Sequence, residues 1–253
     1  MSEFDDYEEE YEDGRPHPTR IIYKVIKIVA VIVCVSVTAG LFLRICSQNN
    51  APREIDTIMV NKALSDAYAE QGEELEIFFQ NYDIYSAEEG ERGAGYFAVT
   101  EAIFIPAAEQ AQLILRYNNS TLKYLPEDFK GICTEIPERS EDVFDVTLVK
   151  VIDLTPNDVN DNDNEKALKK ERYFASDVIK AEKGLHNYRR FTFDGIDTTD
   201  ALEIYVCIYY KGALDYAEDP FGSVSIYEKS ENNRVYSLSK NDRNALNSAK
   251  NGD

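Results

Sequence analysis

A chain of 253 residues with a formal charge of −20 and 43% hydrophobic residues has enough apolar content for a real core. Its charge repels phosphate, which excludes nucleic-acid binding. Two histidines cannot supply a multi-histidine zinc site, and the four cysteines include no closely spaced pair to replace them.

Residues 1–20 open with MSEFDDYEEEYEDG, eight acids and no base within the first thirteen positions, and form a tail too polar to fold alone. Phe4, Tyr7 and Tyr11 punctuate it, so it serves either as a solubilising tail or as a docking peptide for a basic cytosolic partner. Arg15-Pro16-His17-Pro18 keeps the chain extended before the next element.

Ile28 to Leu43 is sixteen residues without a charge, and the apolar character starts earlier, at Ile21. Counted from Ile21 to Leu43, a helix reaches about 34 Å, enough to cross a hydrocarbon core of about 30 Å. Residues 21–46 are therefore expected to be a transmembrane signal-anchor in contact with the lipid bilayer. Lys24 and Lys27 extend their ammonium groups back to the headgroups as anchors. Arg15, Arg20, Lys24 and Lys27 precede the span and Arg44 and Arg53 follow it, so the positive-inside bias places the N-terminus in the cytoplasm and the remainder outside the cell membrane. Arg44-Ile45-Cys46-Ser47 offers neither a compact cleavage site nor a lipidation box. The pairs Ala30 and Cys34, and Ser36 and Gly40, are small residues four apart, the spacing of a homodimer through this helix.

The exterior part carries −17. Residues 47–72 read as a polar spacer and an amphipathic helix over Ile55 to Gln71, ended by Gly72. From Leu75 the period becomes strand-like: Leu75 to Phe79, Tyr96 to Phe104, Ala111 to Tyr117, Phe144 to Leu154, Arg172 to Lys180, Tyr188 to Phe193, Leu202 to Tyr210, Val224 to Glu228 and Val235 to Leu238. Turn signals such as Asn118-Asn119, Asp194-Gly195 and Asp219-Pro220 separate them. The clearest strand sets Leu202, Ile204, Val206 and Ile208 on one face and Tyr205, Cys207 and Tyr209 on the other. The expected fold class is all-β over residues 73–239, a two-sheet sandwich of the immunoglobulin-like or C2-like kind, with residues 240–253 as a polar C-terminal tail.

Few residues point to chemistry. Serine-hydrolase elbows and phosphate-cradling glycine loops are missing, since Gly93-Ala94-Gly95 and Gly222-Ser223-Val224-Ser225 each hold only part of the pattern. Cys207, His186 and Arg234 supply the residue types of a sortase, but Cys207 sits mid-strand and His186 lies too near it in sequence, so Cys207 reads as a small residue packed among tyrosines. With 39 exterior acids, carboxylate pairs of the glycosidase kind arise by coincidence. Cys133 and Cys207 are the exterior cysteines, and spacing leaves their pairing open. Asn118-Asn119-Ser120-Thr121 holds overlapping glycosylation sequons, which matter only in a eukaryotic host.

The sharpest local feature is a tentative calcium loop of Asp158, Asn160, Asn162, Asp163 and Glu165, with oxygen-bearing side chains at alternating positions. Asp163 stands where an EF-hand needs glycine, and Lys169 occupies the position of the bidentate glutamate. In a C2-like arrangement the loop would converge with Asp215, Glu218 and Asp219; the alternative is a solvated acidic hairpin tip.

The plan of polar leader, basic-flanked anchor, then Asn61-Lys62-Ala63-Leu64-Ser65-Asp66-Ala67-Tyr68 and Leu75-Glu76-Ile77-Phe78-Phe79, resembles single-pass envelope proteins of Gram-positive bacteria. The resemblance carries no catalytic residue with it. It implies a binding or interaction protein whose partner is a protein or a cell-wall component, the alternative being an envelope transpeptidase or hydrolase. Seventeen tyrosines and no tryptophan favour a protein-contact surface over a sugar platform.

Overall fold

The computed structural model describes residues 18–49, 51–80, 95, 97–118, 142–154, 168–210 and 220–251. The chain divides into two compact units, Met1–Asn50 and Ala51–Asp253.

The first unit is one helix, α1, Pro18–Asn49. Pro18 takes the first helical position, where its missing N–H costs nothing. The β-branched run from Val29 to Val37 would weaken a helix in water, but a single segment in hydrocarbon satisfies its backbone only as a helix. Ile21–Arg44 is long and apolar enough to cross a membrane, and none of it is buried within the protein. The Thr38 hydroxyl donates to the Cys34 carbonyl at 2.8 Å, so the polar group is satisfied inside the helix.

The second unit is mostly β, with two antiparallel sheets. In chain order its elements are the single turn α2 (Arg53–Asp56), α3 (Lys62–Gln71), β1 (Phe78–Phe79), β2 (Phe97–Ile105), β3 (Gln110–Tyr117), β4 (Phe144–Asp153), β5 (Leu168–Phe174), β6 (Asp177–Lys183), β7 (His186–Asp194), β8 (Ala201–Tyr210), β9 (Gly222–Glu228), β10 (Arg234–Val235) and α4 (Lys240–Asn251). The six-stranded sheet has the order β10-β1-β2-β3-β7-β6 and the four-stranded sheet β5-β4-β8-β9.

The two sheets share one hydrophobic cluster. Val99, Phe104, Leu113 and Phe193 from the larger meet Leu148, Ile204, Val206 and Ile208 from the smaller, and Phe144 stacks on Phe221 with ring centroids 5.6 Å apart. Two bulges set which residues enter it. Thr100 is the extra residue where the β2–β3 register shifts between Val99 and Glu101, so Val99 and then Ala102 and Phe104 face inward while Glu101, Ile103 and Ile105 face the other way. In β8 the bulge at Leu202 sends Ala201 into the core in its place. Leu202, expected on the aliphatic face with Ile204, is thereby only half-buried.

The expected strand Arg172 to Lys180 is two strands in different sheets. The chain leaves the edge of the small sheet after Phe174, turns at Ala175 and Ser176, and enters the edge of the large sheet at Asp177. Ser176 fixes the corner, its backbone N–H (2.8 Å) and its hydroxyl (3.1 Å) both donating to the Thr192 carbonyl. The corner Phe174-Ala175-Ser176-Asp177 holds no glycine or proline, so periodicity alone does not separate the halves.

The expected helix from Ile55 to Gln71 is also divided. Asn61 caps α3, its side chain accepting from the Leu64 N–H at 3.0 Å, and Gly72, with φ of +59°, ends it. Thr57 to Val60 cannot continue the helix because their backbone is spent elsewhere: Ile58 N–H donates to Asp242 at 2.9 Å and Met59 N–H to Gln112 at 2.9 Å.

These segments cover the outward face of the six-stranded sheet. Ile58, Leu64, Tyr68, Ile77, Ile103 and Ile105 form a second cluster with Leu246 of α4. The tail expected to be polar is thus an amphipathic helix whose Leu246 and Asp242 are fully buried. Asp242 also accepts from the Ser239 N–H at 2.8 Å, capping α4. Arg190, fully buried on the same face, donates to the Ile55 carbonyl (2.6 Å) and to Gln112 (3.0 Å), and pairs with Glu101. Burial raises the Glu101 pKa and Arg190 only partly offsets it.

Candidate functional site

The outward face of the four-stranded sheet carries a different chemistry. Antiparallel register fixes its rows, because directly paired residues share a face. Lys170 and Glu203 flank Val151 in one row; Arg172, Val149, Tyr205 and Ser225 form the next; Phe174, Thr147, Cys207 and Ser223 the third. Val149, Cys207 and Tyr209 are buried there, while Lys170, Arg172 and Ser223 are exposed and Glu203, Tyr205 and Ser225 half-buried. Together with Pro220 these side chains line a shallow basin of about 670 Å³.

The cations of β5 lie over the tyrosines of β8. Lys170 Nζ is 5.8 Å from the Tyr205 ring centroid, and the Arg172 guanidinium is 5.7 Å from that of Tyr209 and 3.3 Å from its hydroxyl. Next to the basin, Lys150 is buried with its ammonium on Asp200 (2.8 Å) and on the Asp197 carbonyl (3.1 Å), 3.6 Å from Glu171. Burial works against that charge, but hydrogen bonding to Asp200 and the nearby Tyr173 outweigh it and hold the Lys150 pKa above its ordinary value. The group stays an ammonium, an ion-pair member and no nucleophile. Glu171 is held down to about 2 by Lys169 and by the Tyr173 hydroxyl.

Cys207 lies in the basin floor as a free thiol. Burial pushes its pKa up to about 11, against the smaller opposing pull of Arg172 and Tyr209, so it is protonated and unreactive at neutral pH. His186 is on β7 and Arg234 on β10, both in the other sheet. The three residue types of a sortase are therefore not brought together.

The calcium loop of Asp158, Asn160, Asn162, Asp163 and Glu165 lies outside the described residues, as do Asp215, Glu218, Asp219 and Cys133. Among the described residues no group of three or more His, Cys, Asp or Glu could hold a metal ion. The tyrosines also stand differently from the expected contact surface. Tyr68, Tyr117, Tyr188, Tyr209, Tyr210 and Tyr227 are buried, and among the described exterior residues no tyrosine is fully exposed. Among the described residues of the second unit most tyrosines are therefore core material, and Tyr173, Tyr205 and Tyr236 are half-buried.

Sequence reasoning found the Tyr205, Cys207 and Tyr209 face of β8 but not the residues opposite it. Lys170 and Arg172 sit at alternate positions of Leu168-Lys169-Lys170-Glu171-Arg172-Tyr173-Phe174, a period-two signal masked by the charge on both faces. Compared with protein-family models, with curated proteins and with solved structures, the chain finds no match.

Proposed function

We propose that this chain is a membrane-anchored extracytoplasmic binding protein of the cell envelope, held by α1 with its N-terminus in the cytoplasm. The exterior unit would be a sandwich of the immunoglobulin-like or C2-like kind, a reading supported by the core cluster common to both sheets. Orientation is supported by the basic residues ahead of the span.

The observation that carries a binding role is the basin itself. It gathers charges, hydroxyl groups and an aromatic ring in one concavity of ligand size, and the thiol it contains is protonated and without a nearby histidine. Such a site can hold a ligand by hydrogen bonds and stacking but has no activated nucleophile. The test is incubation of the full chain in lipid nanodiscs with purified cell-wall material. Retention of wall fragments without new reducing ends or free amines is the expected result, and catalytic turnover of glycan or peptide bonds would refute the reading.

A further inference from the structure

We propose that the basin on the four-stranded sheet binds an uncharged, hydroxyl-rich oligosaccharide, an assignment that rests on the binding reading above and names its ligand class. Backbone recognition is closed to a ligand on this floor. β4 is hydrogen-bonded to β5 and β8 on its two sides, and β8 to β4 and β9, so the ligand must be held by side chains. That sets aside strand addition by a peptide lying in the basin.

The side chains then select the class. On the outward face Lys170 and Arg172 are matched in number by Glu203 and Glu228, direct neighbours across β8 and β9, so the face has no excess of positive charge, and the whole chain carries −20. A polyanion gains nothing from such a site. A purely apolar ligand would strand the hydroxyls of Tyr205, Ser223 and Ser225 and the charged side chains that flank Val151. A sugar uses both kinds of surface: its hydroxyls both donate and accept, suiting Lys170 on one side of Val151 and Glu203 on the other, while its C–H face packs on the half-buried Tyr205 ring.

The floor also shows an unmet need. Ser225 Oγ is buried and has no hydrogen-bond partner, and neither has Thr147 Oγ1, whose residue is 1% exposed and lies in the adjacent row beside Cys207. Buried hydroxyls are ordinarily paired, and a turn of the Ser225 side chain about χ1 toward the basin it lines would let a ligand hydroxyl make the bond that folding leaves unmade. The volume of about 670 Å³ lies within the range of small-molecule sites, about 300–1,000 Å³.

The test is calorimetric titration of the full chain in nanodiscs with the tetramer of N-acetylglucosamine, and in parallel with poly(glycerol phosphate). The expected result is saturable binding of the tetramer that salt does not weaken, reduced about tenfold or more in Tyr205→Ala and about threefold in Ser225→Ala. Glu203→Gln, a change at the rim, should weaken binding with the fold intact, and so keeps the test valid if Tyr205→Ala unfolds. Absence of binding by the tetramer overturns the assignment. If the phosphate polymer binds instead and salt releases it, the sugar assignment falls and the binding role stands; if either probe is cleaved, the binding role itself falls. Tetramer binding unchanged in all three variants would remove the ligand from this basin.

Discussion

Both sheets turn one face to a shared core, and their other faces have opposite fates. The outward face of the six-stranded sheet is paved by the chain on either side of it, residues 51–75 and α4, and its polar groups are buried and satisfied, Arg190 by Gln112 and Asp242 by the Ile58 and Ser239 N–H groups. The outward face of the four-stranded sheet has a rim of exposed charges and a buried hydroxyl without a partner. Alternation in a strand says that two faces exist, but the segments that dock from elsewhere decide which becomes interior. One face is closed over and the other is open, and substitutions should separate them.

The largest effect is expected on the paved face. Arg190→Ala would leave the Ile55 carbonyl and the Glu101 carboxylate without this donor, and should cost about 3–5 kcal/mol in urea denaturation of the full chain in detergent. A loss below about 1 kcal/mol would break the comparison. Leu246→Ala empties a site with no solvent exposure where α4 meets the second cluster, and should cost about 2–4 kcal/mol by the same measurement. Asp242→Ala breaks the capping box that Asp242 makes with Ser239 at the start of α4 and leaves the Ile58 N–H without an acceptor, at about 2 kcal/mol.

A smaller effect concerns pH. Burial alone would raise the Asp142 pKa, but Lys180 and Arg189 outweigh it and hold it below 3.8. A depressed carboxylate contributes stability that is complete above its unfolded pKa of about 3.9 and is lost as pH falls through its folded value. Glu171 acts with the same sign down to about pH 2, whereas the raised Glu101 acts with the opposite sign. Melting temperatures of Asp142→Asn should lie slightly below the parent at pH 7, by less than about 1 kcal/mol equivalent, and converge with it as pH falls through the depressed folded value. The smallest effect sharpens the contrast from the other side: Tyr205→Ala, at the open face, should shift stability by under about 1 kcal/mol while abolishing most ligand binding.

Much of the fold was legible because it rests on local signals. Strands such as Phe144–Asp153 and Ala201–Tyr210 announce themselves by β-branched and aromatic alternation, and the apolar helix α1 by its uncharged run. What escaped depends on distant partners. The break between β5 and β6 is held by the Thr192 carbonyl, sixteen residues from Ser176, and the interruption after α2 by Asp242, 184 residues from Ile58. The β8 half of the basin was visible as the tyrosine face of one strand. Its β5 half was not, because a charged edge strand shows no hydrophobic period, and lysines there also serve to discourage pairing with other chains.

The docking of residues 51–60 bears on how the exterior unit could be freed from its anchor. Arg190 grips the Ile55 carbonyl, Asp242 the Ile58 N–H, and Arg53 donates to Asn241 at 2.8 Å. A protease cutting within this stretch would remove part of the folded body, and only cleavage between Arg44 and Pro52 would release the second unit whole. The stretch of chain that permits clean release is therefore seven residues at most, 45–51, set on one side by the apolar helix and on the other by the core.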